Sequence, residues 1–334
     1  MDLVDAFNRP LTDLRISVTD RCNFRCRYCM PREHFGPDHP FLERSALLSY
    51  EEITNVVKAM LPLGLRKIRI TGGEPLLRRD LTRLVSMIRS IDPALDLALT
   101  TNGALLGEHA QQLKEAGLNR VTVSLDAIDS ALFARMADTK HTTPEDVLEG
   151  IQVARQAGLS VKVNAVIQKS VNEREIEPLA EACYHLGVPL RFIEFMDVGN
   201  TNSWNLEDVV TGAEIRSVLE QRFGKLQPIE SQFKSDVARV YEAPAGHRFG
   251  FIESVSNPFC GDCTRARLSA NGSLYTCLFA STGHDLKSML RMDATNDEVR
   301  QAVRSIWTKR NDRYSQDRAT SEIHDKVEMS FIGG

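Results

Sequence analysis

The opening fifteen residues, MDLVDAFNRPLTDLR, contain no continuous apolar run. A secretory leader or membrane anchor needs one, so neither is expected there and the expected compartment is the cytoplasm. Low-complexity tracts are also missing, and with them the long disordered arms they encode. Positive charge is not in surplus: the formal net charge is -4, which argues against wholesale attraction to nucleic acid or to an anionic membrane. No partner of either kind is expected. Disulfides are not expected either, because a reducing cytosol keeps thiols free. What remains is an ordinary globular composition, 42% hydrophobic and 26% charged. At roughly 150 residues per domain, 334 residues suggest about two domains.

What the chain does have is clustered cysteine. Of seven cysteines, six form two triplets: Cys22, Cys26 and Cys29, then Cys260, Cys263 and Cys277. Each triplet is one ligand short of the four that a structural zinc or an electron-transfer cluster takes, so each can leave one metal position open to a small molecule. Zinc is the competing reading, with His34 or His39 completing the first site and His247, His284 or a water the second. Cys183 stands alone in EACYHLG and reads as a small buried hydrophobe.

Apolar and polar residues alternate in LRISVT (14–19), KIRIT (67–71), DLALTTN (96–102), RVTVSLD (120–126), SVKVNAV (160–166) and PLRFIEF (189–195), a period of two that predicts strands. Helical spacing fills the gaps at 50–63, 80–90, 108–116, 144–157 and 173–186. Gly64, Gly117, Gly158 and Gly187 close helices before the following strand. Strand and helix alternating about six times predicts a parallel sheet. The polar face that persists on each strand favours a partial barrel over an open sheet covered on both sides. Its lumen would hold Arg15, Arg69, Thr100, Ser124, Asp126 and Lys162, with Arg191 on the last strand. Cations there are costly unless a polyphosphate or other anion joins them, or unless carboxylates such as Asp126 and Glu194 pair with them. After residue 196 the repeat stops; a polar loop, a helix near 214–223, short strands over 228–282 and a helix over 297–309 are expected.

The first triplet, with Tyr28 before its third cysteine and Gly72-Gly73-Glu74-Pro75 ending the second strand, makes the chain resemble the radical S-adenosylmethionine (SAM) superfamily. Further segments resemble the GTP 3′,8-cyclase family of molybdenum cofactor biosynthesis over nearly the whole length: DxRxSxTDRCNFRCRYCMP, KIRITGGEPLLRRDL, LTTNG, VSLDA, RFIEFMDVGNTNSW, NPFCGDCTRARLSANG and MSFIGG. The resemblance implies a partial (β/α)6 TIM-like barrel of the radical SAM type over 1–225. A carboxyl-terminal region over 226–334 would carry a second iron–sulfur cluster and bind substrate.

By the same resemblance, Cys22, Cys26 and Cys29 would hold one [4Fe–4S] cluster, and Tyr28, Gly73, Ser124 and Met196 would contact SAM, with Arg191 orienting it. Cys260, Cys263 and Cys277 would hold a second [4Fe–4S] cluster facing the guanine. Arg15, Arg69, Thr100, Lys162, Arg265 and Arg267 would bind GTP, and Arg15, Arg265, Arg267, Gly333 and Gly334 would form the catalytic set. The implied reaction converts GTP to (8S)-3′,8-cyclo-7,8-dihydroguanosine 5′-triphosphate through a 5′-deoxyadenosyl radical. The implied partners are a flavodoxin or ferredoxin reductant, a downstream cyclic pyranopterin monophosphate synthase and a second copy in a homodimer, and the clusters would be oxygen-sensitive. Two other functions fit the cysteines alone: a radical SAM peptide-modifying enzyme, and a non-catalytic iron–sulfur carrier.

Overall fold

The computed structural model describes residues 3–230, 236–318 and 325–333. Six strands fall where the alternation places them: β1 (Asp13–Ser17), β2 (Lys67–Thr71), β3 (Asp96–Thr101), β4 (Arg120–Ser124), β5 (Ser160–Ile167) and β6 (Leu190–Glu194). Between them run α1 (Tyr50–Met60), α2 (Leu81–Ile91), α3 (Leu106–Glu115), α4 (Ser130–Ala137), α5 (Pro144–Gln156) and α6 (Ile176–Leu186). Ser49 and Glu52 cap α1 reciprocally, the Ser49 hydroxyl accepting from Glu52 N and the Glu52 carboxylate from Ser49 N at 2.6 Å. Helix α4 has no counterpart in the sequence reading. It is short, and its start signal is Asp129, which accepts from Leu132 N.

Neighbours in the chain are neighbours in the sheet, in the order β1 to β6, all parallel. Right-handed crossovers then place every helix on the same side. Ile16, Ile68, Ile70, Val121, Val123 and Val163 are fully buried in the core formed with those helices, each contributing about 1.5–3 kcal/mol by burial. The other face curls round one cavity, touched by Arg15, Arg69, Thr100, Ser124, Asn164 and Glu194 from six successive strands. The fold is thus the expected partial barrel.

The carboxyl-terminal third extends the same sheet. After α7 (Gly212–Phe223) come β7 (Gln227–Ile229), β8 (Arg239–Glu242), β9 (Arg248–Ile252), β10 (Arg265–Leu268), β11 (Ser273–Tyr275) and β12 (His284–Asp285). Strand β9 adds in parallel beside β6 and β10 in parallel beside β1, giving an open twelve-stranded sheet. Helices α8 (Lys287–Arg291), α9 (Asn296–Thr308), α10 (Tyr314–Asp317) and α11 (Met329–Ile332) complete the chain. Because β10 runs parallel to β1, Cys260 and Cys263 precede it at one mouth of the barrel while Cys22, Cys26 and Cys29 follow β1 at the other. About four strand residues, roughly 13 Å, separate the two mouths. No helix of the described residues is long and apolar enough to cross a membrane.

Candidate active site

The first triplet lies in the loop after β1, where Cys29 N and Met30 N donate to the Cys26 carbonyl at 3.0 and 2.8 Å. That turn aims the three sulfurs into the cavity. The glycine-rich turn after β2 is bonded to this loop: Gly73 N donates to Thr19 O and Glu74 N to Arg21 O, both at 2.8 Å. A Cβ on Gly73 would collide with the Arg21 carbonyl, so the close approach requires glycine. Gly73→Ala is therefore expected to push the turn off the cysteine loop and lower iron retention at the first triplet only. Iron analysis with absorption spectra checks this, and full retention would show that the loop yields.

Glu74 is structural in this turn. Its buried carboxylate accepts from Leu76 N, Thr101 Oγ1 and Asn102 N at 3.0, 2.8 and 2.7 Å, and burial pushes its pKa up to about 7. Asp126 is engaged too: Tyr28 Oη donates to it at 2.6 Å and Val166 N at 2.8 Å, which fixes the Tyr28 ring at the cavity wall. Glu194 accepts from Gly212 N, Val255 N and Ser256 N, each at 2.9 Å. The two carboxylates that the sequence offered as partners for the lumen cations are thus committed to other groups.

Burial, then Glu74, pushes the Cys22 thiol up to about 11; burial, then the neighbouring sulfurs, pushes Cys26 and Cys29 up as well. Three converging thiols whose ionisation is opposed are a poor anion site and a good cation site, since a bound metal cluster supplies the compensating charge. In the second triplet, burial and then Asp312 raise Cys277 to about 12. Burial also opposes ionisation of Cys263, but Arg265 first and Arg310 next outweigh it and bring that thiol to about 6. Arg265 donates to Cys263 Sγ at 3.1 and 3.3 Å.

A buried network that the sequence did not reveal frames this second loop. Arg9 Nε donates to Asp5 at 2.7 Å and Arg310 Nη1 to the same carboxylate oxygen at 3.2 Å. The two guanidiniums also reach the carbonyls of Cys260 and Cys263, at 2.8 and 2.7 Å. Its members come from opposite ends of the chain, and no local pattern marks them.

Among the described residues, no group of three or more His, Cys, Asp or Glu is placed to hold a single metal ion, and no histidine lines the cavity. His39 packs between Phe35 and Phe41, and His247 against Tyr184 and Phe249; His284 is exposed on β12. His34 is exposed too, so the four-ligand zinc reading loses its histidines. Each triplet keeps its three cysteines on the cavity wall with no histidine beside them.

Between the mouths stands a row of cations. The register aligns Arg267 of β10 with Arg15 of β1, and Arg15 with Arg69 of β2, so all three point to the cavity. Burial, then like charge, depresses all three, Arg15 to about 10 and Arg69 to about 9. Arg69 donates to Thr100 and Thr122 hydroxyls at 3.0 Å. Lys162 is brought down to about 6 by burial, then by Arg191, Arg120, Arg69 and Lys67. Lys67 and Arg120 were not singled out in the sequence; Lys67 opens β2 two residues before Arg69, which was the available signal. The cavity encloses about 290 Å³, in the size range of small-molecule sites.

Of the expected site residues, all six triplet cysteines, Tyr28, Gly73, Ser124, Met196, Arg15, Arg69, Thr100, Arg265 and Arg267 line this one cavity. Lys162 and Arg191 are not among the lining residues; Arg191 acts on Arg69 through its charge, and Lys162 is itself depressed by the surrounding cations. Gly333 adopts φ +76, where a Cβ would strike Thr71 on β2, and its carbonyl accepts from the Arg267 guanidinium. Gly334 lies outside the described residues.

A partial barrel with a three-cysteine loop after its first strand defines a radical SAM protein, and residues 16–183 match the Radical SAM superfamily. The crystal structure of Streptococcus suis SuiB bound to S-adenosylmethionine shares the fold at a TM-score of 0.61 and 16% identity, over 90% of this chain and 69% of that one. Native anSMEcpe with bound AdoMet superposes at a TM-score of 0.55 and 15% identity, over 86% and 82%. Residues 188–316 match Molybdenum Cofactor Synthesis C. The GTP 3′,8-cyclase of Acidothermus cellulolyticus is 48% identical over 99% of this chain and 98% of its own; that of Staphylococcus epidermidis is 46% identical over the same shares. The chain belongs to the GTP 3′,8-cyclase family, and it is an enzyme.

Proposed function

We propose that the protein cyclises GTP to (8S)-3′,8-cyclo-7,8-dihydroguanosine 5′-triphosphate. The observation that carries this is the buried row Arg267, Arg15 and Arg69 between two mouths that each present three cysteines. Cys22, Cys26 and Cys29 would hold the cluster that binds SAM, with Tyr28, Gly73, Ser124 and Met196 around it. Cys260, Cys263 and Cys277 would hold a second [4Fe–4S] cluster. When bound, these groups would supply one-electron radical chemistry from SAM cleavage; the net change at GTP would break the ribose C3′–H bond, form a C3′–C8 bond and close with one electron from the reductant and one proton.

The chain's own contribution is orientation and shielding. Arg267, Arg15 and Arg69, backed by Thr100 and Lys162, match a triphosphate by charge and by paired N–H donors. Holding the phosphates along the row points the nucleoside toward the second mouth, where Arg265 stands beside Cys263. The Tyr28 ring, fixed by Asp126, and the tail segment that brings Met329 and Ser330 to the lining wall the cavity against water. A peptide substrate would leave the cation row without an anionic partner, and a simple electron carrier would leave both the row and the glycine-rich turn unused. A flavodoxin or ferredoxin as reductant, transfer of product to cyclic pyranopterin monophosphate synthase and a homodimeric state complete the proposal on family grounds.

The test is anaerobic reconstitution with SAM, GTP and dithionite, followed by mass spectrometry. GTP-dependent 5′-deoxyadenosine with a cyclised species of GTP mass supports the reading; deoxyadenosine without GTP consumption refutes the substrate.

Lys162 gives a second test. With its pKa held near 6, it is mostly neutral between about pH 6 and its ordinary 10.5. A triphosphate brought beside it reverses the local field and raises the pKa, so binding at about pH 8 takes up a proton. Calorimetric titration in two buffers of different ionisation enthalpy is expected to show this uptake, reduced in Lys162→Met. Equal uptake by both proteins would remove Lys162 from the triphosphate site.

A further inference from the structure

A further contact network ties the last described segment of the chain to the loop after β6. The loop after β6 carries Met196 to the cavity. The next residue, Asp197, is buried, and its carboxylate accepts from Tyr314 Oη at 2.6 Å, Arg318 Nε at 3.0 Å and Lys326 Nζ at 2.8 Å. Its carbonyl takes a further bond from Lys326 Nζ at 2.7 Å. Two residues on, Gly199 has φ +66, and a Cβ there would collide with the Glu328 carboxylate. That carboxylate accepts from Asn200 N at 2.9 Å and Thr201 Oγ1 at 3.1 Å. Asn200 also exchanges two bonds with the Lys326 backbone, at 2.6 and 3.0 Å.

Both attachments fall just before α11, the helix that delivers Gly333 to Arg267. A short helix of this length has no stability of its own in water, so its placement depends on what fastens its start. Ser254 ties the same region together: its hydroxyl contacts Met196 Sδ at 3.4 Å, and its carbonyl accepts from Arg318 at 3.1 Å.

We propose that Asp197 and Glu328 are positioning residues that fasten residues 326–333 to the loop carrying Met196, so that the tail's reach to Arg267 and the placement of Met196 are set together. The part of this concerned with turnover rests on the cyclase reading above; the fastening itself does not. Loss of either carboxylate leaves the barrel core untouched but frees the tail and loosens Met196, so a smaller share of the SAM that is cleaved leads to cyclised nucleotide.

The experiment uses the full-length reconstituted protein as wild type, Asp197→Asn and Glu328→Gln, with iron content and circular dichroism confirming folding. Hydrogen–deuterium exchange of the 326–333 amides is expected to rise about tenfold or more in each variant. With SAM, GTP and dithionite, the ratio of cyclised nucleotide to 5′-deoxyadenosine is expected to fall about tenfold. Unchanged exchange in both carboxylate variants overturns the fastening. Faster exchange with an unchanged product ratio overturns the positioning role. Wild-type protein that makes no cyclised nucleotide overturns the cyclase reading, and the exchange measurement still decides the fastening.

Discussion

Replacing Cys26 by alanine is expected to abolish SAM cleavage while leaving the iron of the second site in place. Cys26 is the centre of its loop: its carbonyl receives both turn-forming N–H groups, and its thiol is crowded by Cys22 and Cys29. The backbone bonds survive the substitution, so the loop keeps its path and loses only a sulfur. Changes one shell out from a metal already cost 10- to 100-fold, and a direct ligand is expected to cost more than about 100-fold. The second triplet stands at the opposite mouth and is held by its own buried Asp5, Arg9 and Arg310 network. Iron per chain, with electron paramagnetic resonance of the remaining cluster, and 5′-deoxyadenosine yield are the measurements. Retained SAM cleavage would defeat the assignment of the first triplet.

Arg267→Ala is expected to separate stability from activity. Burial first, then Arg15 and Arg265, pushes this guanidinium well below its ordinary pKa, so the folded protein carries the arginine at a cost. Removing it relieves like-charge repulsion, and the melting temperature is expected to stay level or rise. Activity moves the other way. Deleting one partner of a buried charge pair costs about 2–5 kcal/mol, which predicts a fall in kcat/KM of roughly 30- to several-thousand-fold. Both clusters should assemble as in the wild type. Unchanged kinetics would remove Arg267 from the substrate site, and a large loss of melting temperature would contradict the electrostatic account.

The pattern behind both predictions is stability given up for function. A barrel lumen filled with apolar side chains would be the more stable solution. Here neighbouring strands instead line up Arg267, Arg15 and Arg69, with Asp13 the carboxylate that acts on Arg15 and Arg69, while Asp126 and Glu194 serve Tyr28 and the backbone.

The strands, most helices and the first site were legible because their signals are local. Alternation at period two marks β1 to β6, the Ser49 and Glu52 pair marks the start of α1, and three cysteines within eight residues converge from a single loop. Helix α4 escaped because a short helix carries little periodicity. The histidines offered as zinc ligands looked eligible only while their surroundings were unknown; packing placed them among aromatic rings or in solvent.

By itself, then, the sequence determined the repeating strand and helix order, the polar lumen, the two cysteine triplets and the family resemblance, since each is written within short segments. Tertiary structure alone decided that β10 pairs in parallel with β1. That pairing joins residues about 250 positions apart, beyond the reach of any local periodicity. It places the triplets at opposite mouths, aligns Arg267 with Arg15 and Arg69, and brings Gly333 to Arg267. It also gives the Asp197 and Glu328 fastening its meaning, because the bonds of a chain's last segment follow from where the sheet leaves it.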